Sequence, residues 1–373
     1  MIRSVVATVE SVTVSSHGAQ EARVSVCDPT TGFATSRKAI NLIELTGEIS
    51  IGERVLINTV AVELGLGTGG MDFVIARLDH ERVETTPPGH ILKLRYTPLQ
   101  VPILAAEAQE SAHHSLMQQF ETLNETPVVC AELHSQLPAI CAGAAWHLKV
   151  SNFPRTPRIV YVMTPGASLP IAFSRLVPAL KEKGWLTATV TSGQAFGGDF
   201  EAVNLYSALG IAKEVAKADI IVTAQGPGNV GTETPFGFSG IEQGEALNAV
   251  GALGGTAIMA SRISFADPRG RHQGVSHHTL TILRRVVHIH AWVALPRFRL
   301  EIENQTVRKC FEDAHLEERY DFPFIEADSG YEALENSGLN VTTMGRSLFQ
   351  DSAFFLTAVA AGILAGQCAD DRR

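Results

Sequence analysis

The chain has 373 residues, of which 45% are hydrophobic and 18% charged, and its formal net charge is −9. This composition is typical of a folded globular protein and excludes a disordered or fibrous one. Because the chain is acidic and lacks a basic block, its charge predicts neither nucleic acid nor an anionic membrane as a partner. The length predicts two or three hydrophobic cores.

Cysteine spacing and the apolar segments indicate the compartment. The five cysteines, at positions 27, 130, 141, 310 and 368, are far apart and show no metal-ligand spacing. We therefore expect reduced thiols in a cytoplasmic protein. The N-terminal residues alternate apolar and polar side chains, unlike a signal peptide. The longest apolar stretch, Ala353–Gly366, is shorter than the roughly 20 residues of a membrane-spanning helix, so no membrane partner is expected.

Residues 1–85 predict a small β-barrel or β-sandwich. Short runs rich in Val, Ile and Thr, separated by turn residues, cover 2–14, 22–27, 37–43, 54–62 and 72–78. The proline-rich residues 86–102 then predict a rigid connector, because proline lacks the amide donor that a helix requires.

Residues 103–373 predict an α/β domain. Strands are expected at 128–132, 158–163, 188–192, 219–224, 256–263, 290–295, 322–326 and 340–343. Helices are expected at 103–121, 137–149, 169–183, 201–217, 239–253, 276–286, 301–314 and 352–365. This alternation indicates parallel βαβ units. We predict an open, doubly wound, mainly parallel, Rossmann-like sheet because the connections are uneven. A closed (β/α)₈ barrel is the alternative.

In either architecture a ligand binds at the carboxyl ends of the strands. The glycine-rich loop that follows residues 219–224 resembles a cradle for phosphate or carboxylate, with Gly226, Gly228, Asn229 and Thr232 as candidate ligand-binding residues. It has neither P-loop nor dinucleotide-binding spacing, and a structural turn explains the same glycines.

A second loop, after residues 188–192, adds Gly197, Gly198 and Asp199 as ligand-binding candidates. A helix-capping role for Asp199 is the alternative. His134 follows another strand and is a tentative catalytic candidate, although no nucleophile-elbow pattern accompanies it.

The segment from Asp267 to His278 has the highest density of functional side chains. Arg269 and Arg271 suit bidentate binding of an anion. Asp267, His272 and His277 are candidates for proton transfer. Histidines also bind zinc, manganese or iron, but His277 and the adjacent His278 diverge by about 100° on a helix, so no metal site is assigned. A polar surface turn capped by Ser276 is the alternative.

We expect five of these groups to converge on one rim, because each follows a different strand of a parallel sheet. They are His134, Asp199, Asn229, Asp267 and His272.

Seven segments in order resemble the bacterial DUF3866 family, a group of proteins of unknown function. They are LGLGTGG at 64–70, PGHILKLRYTPLQ at 88–100, LHSQLPAICAG at 133–143, AFGGDFEAVN at 195–204, GPGNVGTETPFGFSGIEQGEAL at 226–247, RISFADPRGRHQGVSHHTLT at 262–281 and VTTMGRSLFQDSAFF at 341–355. The resemblance covers nearly the whole chain and implies no catalytic residue or cofactor.

The sequence therefore suggests an enzyme of the transferase or hydrolase type that acts on a small anionic metabolite. In this hypothesis the two loop arginines hold the anion, the glycine-loop amides cradle it, and the histidines or Asp267 move protons. A non-catalytic, metabolite- or nucleotide-binding regulatory protein is the alternative. The sequence identifies no cofactor, and the Phe354–Phe355 pair fits a homo-oligomer contact as well as a core helix.

Overall fold

The computed structural model describes residues 3–15, 18–28, 31–66, 69–80 and 88–372. The chain divides into two compact units, Met1–Leu104 and Ala105–Arg373. The start of the predicted connector, at residues 86–87, lies outside the described residues, as does the predicted boundary at residue 85.

The first unit contains a closed five-stranded barrel. Its strands are β1 (Ser4–Ser15), β2 (Ala19–Cys27), β3 (Ala34–Leu42), β4 (Arg54–Asn58) and β5 (Asp72–Arg77). They follow the order β1-β2-β3-β5-β4, with β4 pairing back to β1 and only β3–β5 parallel. Alternating apolar residues such as Ala7, Val9, Val55 and Ile57 form its core, as period-two patterning requires.

Three shorter features complete this unit. Single helical turns follow β3 and β4, at α1 (Ile43–Thr46) and α2 (Val60–Glu63). The described part of the predicted connector forms a hairpin of β6 (Ile91–Lys93) and β7 (Val101–Ile103).

The second unit is built on a seven-stranded parallel sheet. The strands of this unit are β8 (Pro127–Ala131), β9 (Ile159–Thr164), β10 (Ala188–Thr191), β11 (Phe200–Glu201), β12 (Ile220–Gln225), β13 (Thr256–Ala260), β14 (Ile263–Ser264), β15 (Gly274–Val275), β16 (Trp292–Val293), β17 (Leu295–Pro296), β18 (Phe324–Ile325), β19 (Thr342–Thr343) and β20 (Arg346–Ser347). The sheet order is β11-β10-β9-β12-β8-β13-β16. The predicted fold class is therefore confirmed, and the sheet is open.

Helices cover the sheet. They are α3 (His114–Gln118), α4 (Leu137–Val150), α5 (Leu176–Glu182), α6 (Leu205–Gly210), α7 (Glu242–Ala252), α8 (His277–Thr281), α9 (Glu301–Asp313), α10 (Asp328–Glu335) and α11 (Ser352–Asp371). A π-helical turn extends α6 through Ile211–Val215, and another extends α8 through Ile282–Val286. Every residue of β8, β9, β10 and β12 is buried, which explains their continuously apolar sequences.

The structure corrects one predicted helix and adds another. The helix expected at 103–121 is reduced to α3, because Ala105 and Ala106 pair with the backbone of Glu201 instead. Helix α10 was not predicted. Its Gly330 lies against Val359 and Ile363 of α11, so this glycine serves close helix packing.

Helix α11 has the length and composition of a membrane-spanning helix. It extends beyond the apolar stretch Ala353–Gly366 on which the sequence-based expectation was founded. However, 83% of its most apolar window is buried inside the fold. It packs against α4 and the sheet, as the core helix of a soluble protein does.

Candidate functional site

A buried polar cluster lies where β8 and β13 end. Glu132 directly follows β8, Arg262 follows β13, and His278 is the second residue of α8. Their side chains are 0%, 4% and 7% exposed. Charged groups buried to this extent are unusual unless they are paired, so their partners define what the cluster can do.

Glu132 joins the histidines to the arginines. One carboxylate oxygen, Oε1, accepts a hydrogen bond from His278 Nδ1 at 2.6 Å and another from Arg262 Nη1 at 3.2 Å. The other oxygen, Oε2, is buried and has no hydrogen-bond partner among the described residues. Burial alone would raise the pKa of Glu132, but the His278 hydrogen bond and the Arg262 charge outweigh it and lower the pKa. The carboxylate is therefore ionised at neutral pH.

Asp267 is the second buried anion. Arg269 binds it through Nε and Nη2 at 2.8 and 2.7 Å, and Arg262 and Arg346 approach its Oδ2 at 3.5 and 3.2 Å. Burial opposes ionisation, but the hydrogen bonds from Arg269 dominate and hold the pKa of Asp267 far below its ordinary value. Because the carboxylate stays ionised, it is poorly suited to carry a proton at neutral pH.

Arg346 extends this network to Asp351, at 2.9 Å, and Ser264 also donates to Asp351. The network thus contains three carboxylates and three guanidinium groups. Its charges balance without protonation of any histidine.

Three histidines, His272, His277 and His278, surround one point. One ring nitrogen of each lies within 4.8 Å of a ring nitrogen of the other two. His278 uses Nδ1 to bind Glu132, and His272 uses Nδ1 to bind Ser276 Oγ at 2.8 Å. His277 Nε2 is buried and has no partner among the described residues.

Burial disfavours protonation of two of these rings, those of His272 and His277. It lowers the pKa of His272 to about 3, with help from the nearby Arg262 and Arg269 charges. It also lowers the pKa of His277. Two contacts fix the orientation of the helix that carries His277 and His278. Ser276 caps α8, and the Phe238 ring stacks on the His278 ring with centroids 3.7 Å apart. These three imidazoles are the described residues that could hold a metal ion.

The cluster reaches solvent at a cleft of about 540 Å³ that His277 lines. The other lining residues come from the glycine-rich loop and from α8 with its π-helical turn: Pro235, Phe236, Leu280, Thr281, Arg284 and Arg285. Arg284 and Arg285 are exposed. Within the described part of the chain, neither forms a salt bridge.

The arginines predicted to bind an anion do have partners. Arg269 is held by Asp267, and Arg271 Nη2 binds Glu233 Oε1 at 2.9 Å. The Arg271 pair is partly exposed, so solvent screens it. The prediction that these two arginines bind a ligand stays a prediction, but their charges are already neutralised in this structure.

The glycine-rich loop is organised mainly by its own contacts. Asn229 Oδ1 accepts from Gln225, Ser239 and Gly240, and its amide approaches Glu132 Oε1 at 3.5 Å. Thr232 bonds Gly237. Gly226 has no space for a Cβ, which would lie 2.4 Å from Ser168 O, whereas nothing lies within 4 Å of that position at Gly228. The loop therefore positions Asn229 beside the cluster and Phe236 in the cleft.

Asp199 does not join the other candidates. It binds Lys181 Nζ and the backbone and side chain of Thr189, near the amino end of β10. Gly197 and Gly198 donate their amides to Glu201 and Thr191. Because β9 and β12 lie between β10 and β8, at about 4.8 Å per strand these two strands are roughly 14 Å apart, and this loop lies away from the cluster.

His134 is a buried neighbour with its own partners. Its Nε2 lies 2.7 Å from Ser174 Oγ, and its Nδ1 lies 3.2 Å from Tyr161 Oη. Burial lowers its pKa to about 4. These bonds join the loops after β8 and β9, which is a structural role.

The expected convergence is therefore partial. Asn229, Asp267 and His272 meet at the cluster, whereas Asp199 lies elsewhere. The prediction did not include Glu132, Arg262, Arg346 or Asp351. A signal existed for Glu132, since a charged residue directly after the apolar run VVCA falls at the strand end where sites form.

These observations define an α/β protein with a β-barrel unit and an open parallel sheet that carries a polar cluster at its carboxyl edge. The chain belongs to the family described as a protein of unknown function (DUF3866), whose model matches residues 38–362. The resemblance found in the sequence is thus confirmed. No curated protein and no solved structure matches the chain.

Proposed function

We propose that the protein is an enzyme of the hydrolase or transferase type that acts on a small anionic molecule bound in the cleft beside His277. One observation carries this proposal: Arg284 and Arg285, which have no carboxylate partner among the described residues, line the same cleft as His277 of the histidine cluster. In a chain with a net charge of −9, unpaired cations beside buried imidazoles favour an anionic ligand.

The cleft offers the parts that such a reaction needs. The guanidinium groups hold the anion, the apolar side chains of Phe236 and Leu280 exclude water from its other faces, and His277 stands next to the bound molecule. Neutral imidazoles accept protons or coordinate metal ions. In this proposal Arg284 and Arg285 hold the anion, a role that the sequence-based hypothesis gave to Arg269 and Arg271.

The test is binding of inorganic phosphate to the metal-stripped protein by calorimetry, together with hydrolysis of p-nitrophenyl phosphate assayed with and without added zinc. Arg284→Gln and Arg285→Gln should each weaken phosphate binding about ten-fold, since a charge-assisted hydrogen bond contributes roughly 1.5–3 kcal/mol and solvent screens part of it. The matched control is Arg297→Gln, at an arginine that is 70% exposed and pairs with Glu326.

Equal phosphate affinity in all four proteins would contradict the proposed anion site. Phosphate binding without turnover of the ester would instead favour the alternative of a non-catalytic, metabolite-binding protein.

A further inference from the structure

We propose that His272, His277 and His278 form a three-histidine site for a zinc ion, with Glu132 and Ser276 orienting two of the rings. This inference rests on the proposed function in one respect only, namely that the metal would serve the reaction in the adjacent cleft. Its evidence is the arrangement of the nitrogen atoms and of their hydrogen bonds.

Hydrogen bonds occupy the Nδ1 atoms of His278 and His272. A carboxylate can only accept a hydrogen bond, so His278 Nδ1 carries the proton in its 2.6 Å contact with Glu132. In a neutral ring the lone pair then belongs to Nε2. His272 engages Nδ1 with Ser276 Oγ, a hydroxyl that can accept as well as donate, and in the tautomer in which Nδ1 donates, its Nε2 lone pair is left for a ligand. A metal-bound histidine typically makes such a second hydrogen bond from its other nitrogen.

The third ring, His277, has an unsatisfied nitrogen atom. His277 Nε2 is buried and lacks a hydrogen-bond partner within the described residues. A buried polar atom without a partner costs free energy, and a metal ion at the cluster would remove that cost. The three rings are packed closely enough for this, with centroids 4.4–5.0 Å apart.

A set of three histidine ligands favours zinc. Three imidazoles and an open fourth position are typical of catalytic zinc, with zinc–nitrogen bonds of about 2.0–2.1 Å. Tetrahedral geometry places such nitrogen atoms about 3.4 Å apart, and one nitrogen of each ring already lies within 4.8 Å of one nitrogen of the other two, so metal binding would bring these atoms closer by at most about 1.4 Å. A zinc ion there would lower the pKa of a bound water to about 7 and supply the nucleophile for hydrolysis.

The experiment is zinc titration of the full chain, produced without a polyhistidine tag and stripped with a chelator, by calorimetry and elemental analysis. We expect one zinc ion per chain and, with Co²⁺ as a probe, the visible absorption of a tetrahedral site. Loss of a residue that only orients a ligand weakens metal binding roughly 10–100-fold. We therefore expect about that loss for Glu132→Gln and a larger one for His277→Ala.

His277→Ala is the decisive variant, because its buried Nε2 has no hydrogen bond to lose among the described residues and the protein should remain folded by circular dichroism. His288→Ala, at an exposed histidine outside the cluster, is the matched control and should bind zinc like the wild type. Less than one zinc ion per chain, or unchanged affinity in a folded His277→Ala, would overturn the proposal.

The two proposals fail separately. Zinc binding that depends on His277, combined with phosphate binding that ignores Arg284 and Arg285, would uphold the metal site and reject the anionic substrate. Arginine-dependent phosphate binding to a protein that takes up no zinc would do the reverse.

Discussion

At the scale of single residues, Glu242 shows how burial acts on a carboxyl group in this protein. It begins α7, and its Oε2 accepts the backbone N–H of Gly166 at 3.0 Å. Gln225 Oε1 is a buried acceptor without a donor among the described residues. It lies beside Gly166, on the same side as Glu242 Oε2. Burial raises the pKa of Glu242 above its ordinary value, so the fold favours the neutral acid.

We predict that Glu242→Gln stabilises the protein at pH 8. The unfolded chain ionises this carboxyl freely, whereas the folded chain resists ionisation, so the wild type loses stability as pH rises from the ordinary carboxyl pKa through the raised pKa of the folded state. The neutral amide avoids this loss and also offers N–H donors near Gln225. The melting temperature should rise by no more than about 2–4 °C, the shift that roughly 1 kcal/mol produces in a domain of this size, because solvent screens a partly exposed carboxyl.

The pH dependence is the control for this prediction. At pH 4 the wild-type carboxyl is largely protonated in both states, so the gain should nearly vanish there. An equal gain at both pH values would attribute the effect to packing and not to charge.

The contacts of individual side chains also explain which site predictions were possible from the sequence. The loop position and composition of 267–278 correctly indicated a dense polar cluster containing Asp267 and His272. Whether Arg269 faces a ligand or Asp267, and whether His277 and His278 meet at one point, depends on side-chain rotamers and on Phe238 packing. Those contacts are tertiary, so no local pattern reports them.

At the scale of elements, glycine controls the contact between α4 and α11. A Cβ at Gly362 would lie 2.0 Å from Ile140 O, and one at Gly143 would lie 2.3 Å from Val359 O. The two helix backbones therefore touch directly. Because a buried core is close-packed, neither backbone can yield without displacing its neighbours.

We predict that Gly362→Ala destabilises the protein by about 1–3 kcal/mol, the usual cost of overpacking, although alanine favours helices intrinsically. The measurement is urea unfolding followed by circular dichroism. Gly270→Ala is the matched control, since nothing lies within 4 Å of its Cβ position, and its midpoint should stay near that of the wild type. A Gly362→Ala midpoint as high as the control's would show that these helices pack more loosely than the contact indicates.

The elements themselves were largely predictable. Apolar runs identified the central strands, because a strand covered on both faces has little room for polar residues. The helix expected at 103–121 failed for a tertiary reason: Glu107 accepts from Val203 N and Ser207 Oγ. Hydrogen bonds to distant segments overrode the helix propensity of this alanine-rich stretch.

At the scale of the whole molecule, each unit has its own hydrophobic core. The described core residues of the barrel run from Ala7 to Val74, and those of the α/β unit run from Ala106 to Ala369. A unit that buries its own core can fold independently.

We predict that residues 105–373 fold when produced alone. The fragment should unfold in one cooperative transition by calorimetry and bind the same number of zinc ions per chain as the intact protein, because the whole cluster lies within it. A fragment that shows no cooperative transition would contradict this independence.

The strand order has a consequence for how the chain folds. Among the described strands, β8 pairs with β12 and β13 and not with β9, so the earliest strand of the sheet acquires its neighbours late. Pairings between distant segments slow folding, because a long loop must close before they form. Glu132, at the end of β8, meets Arg262 and His278 only after β13 has docked. Assembly of this cluster therefore reports that β13 has docked on β8, a late pairing of the sheet.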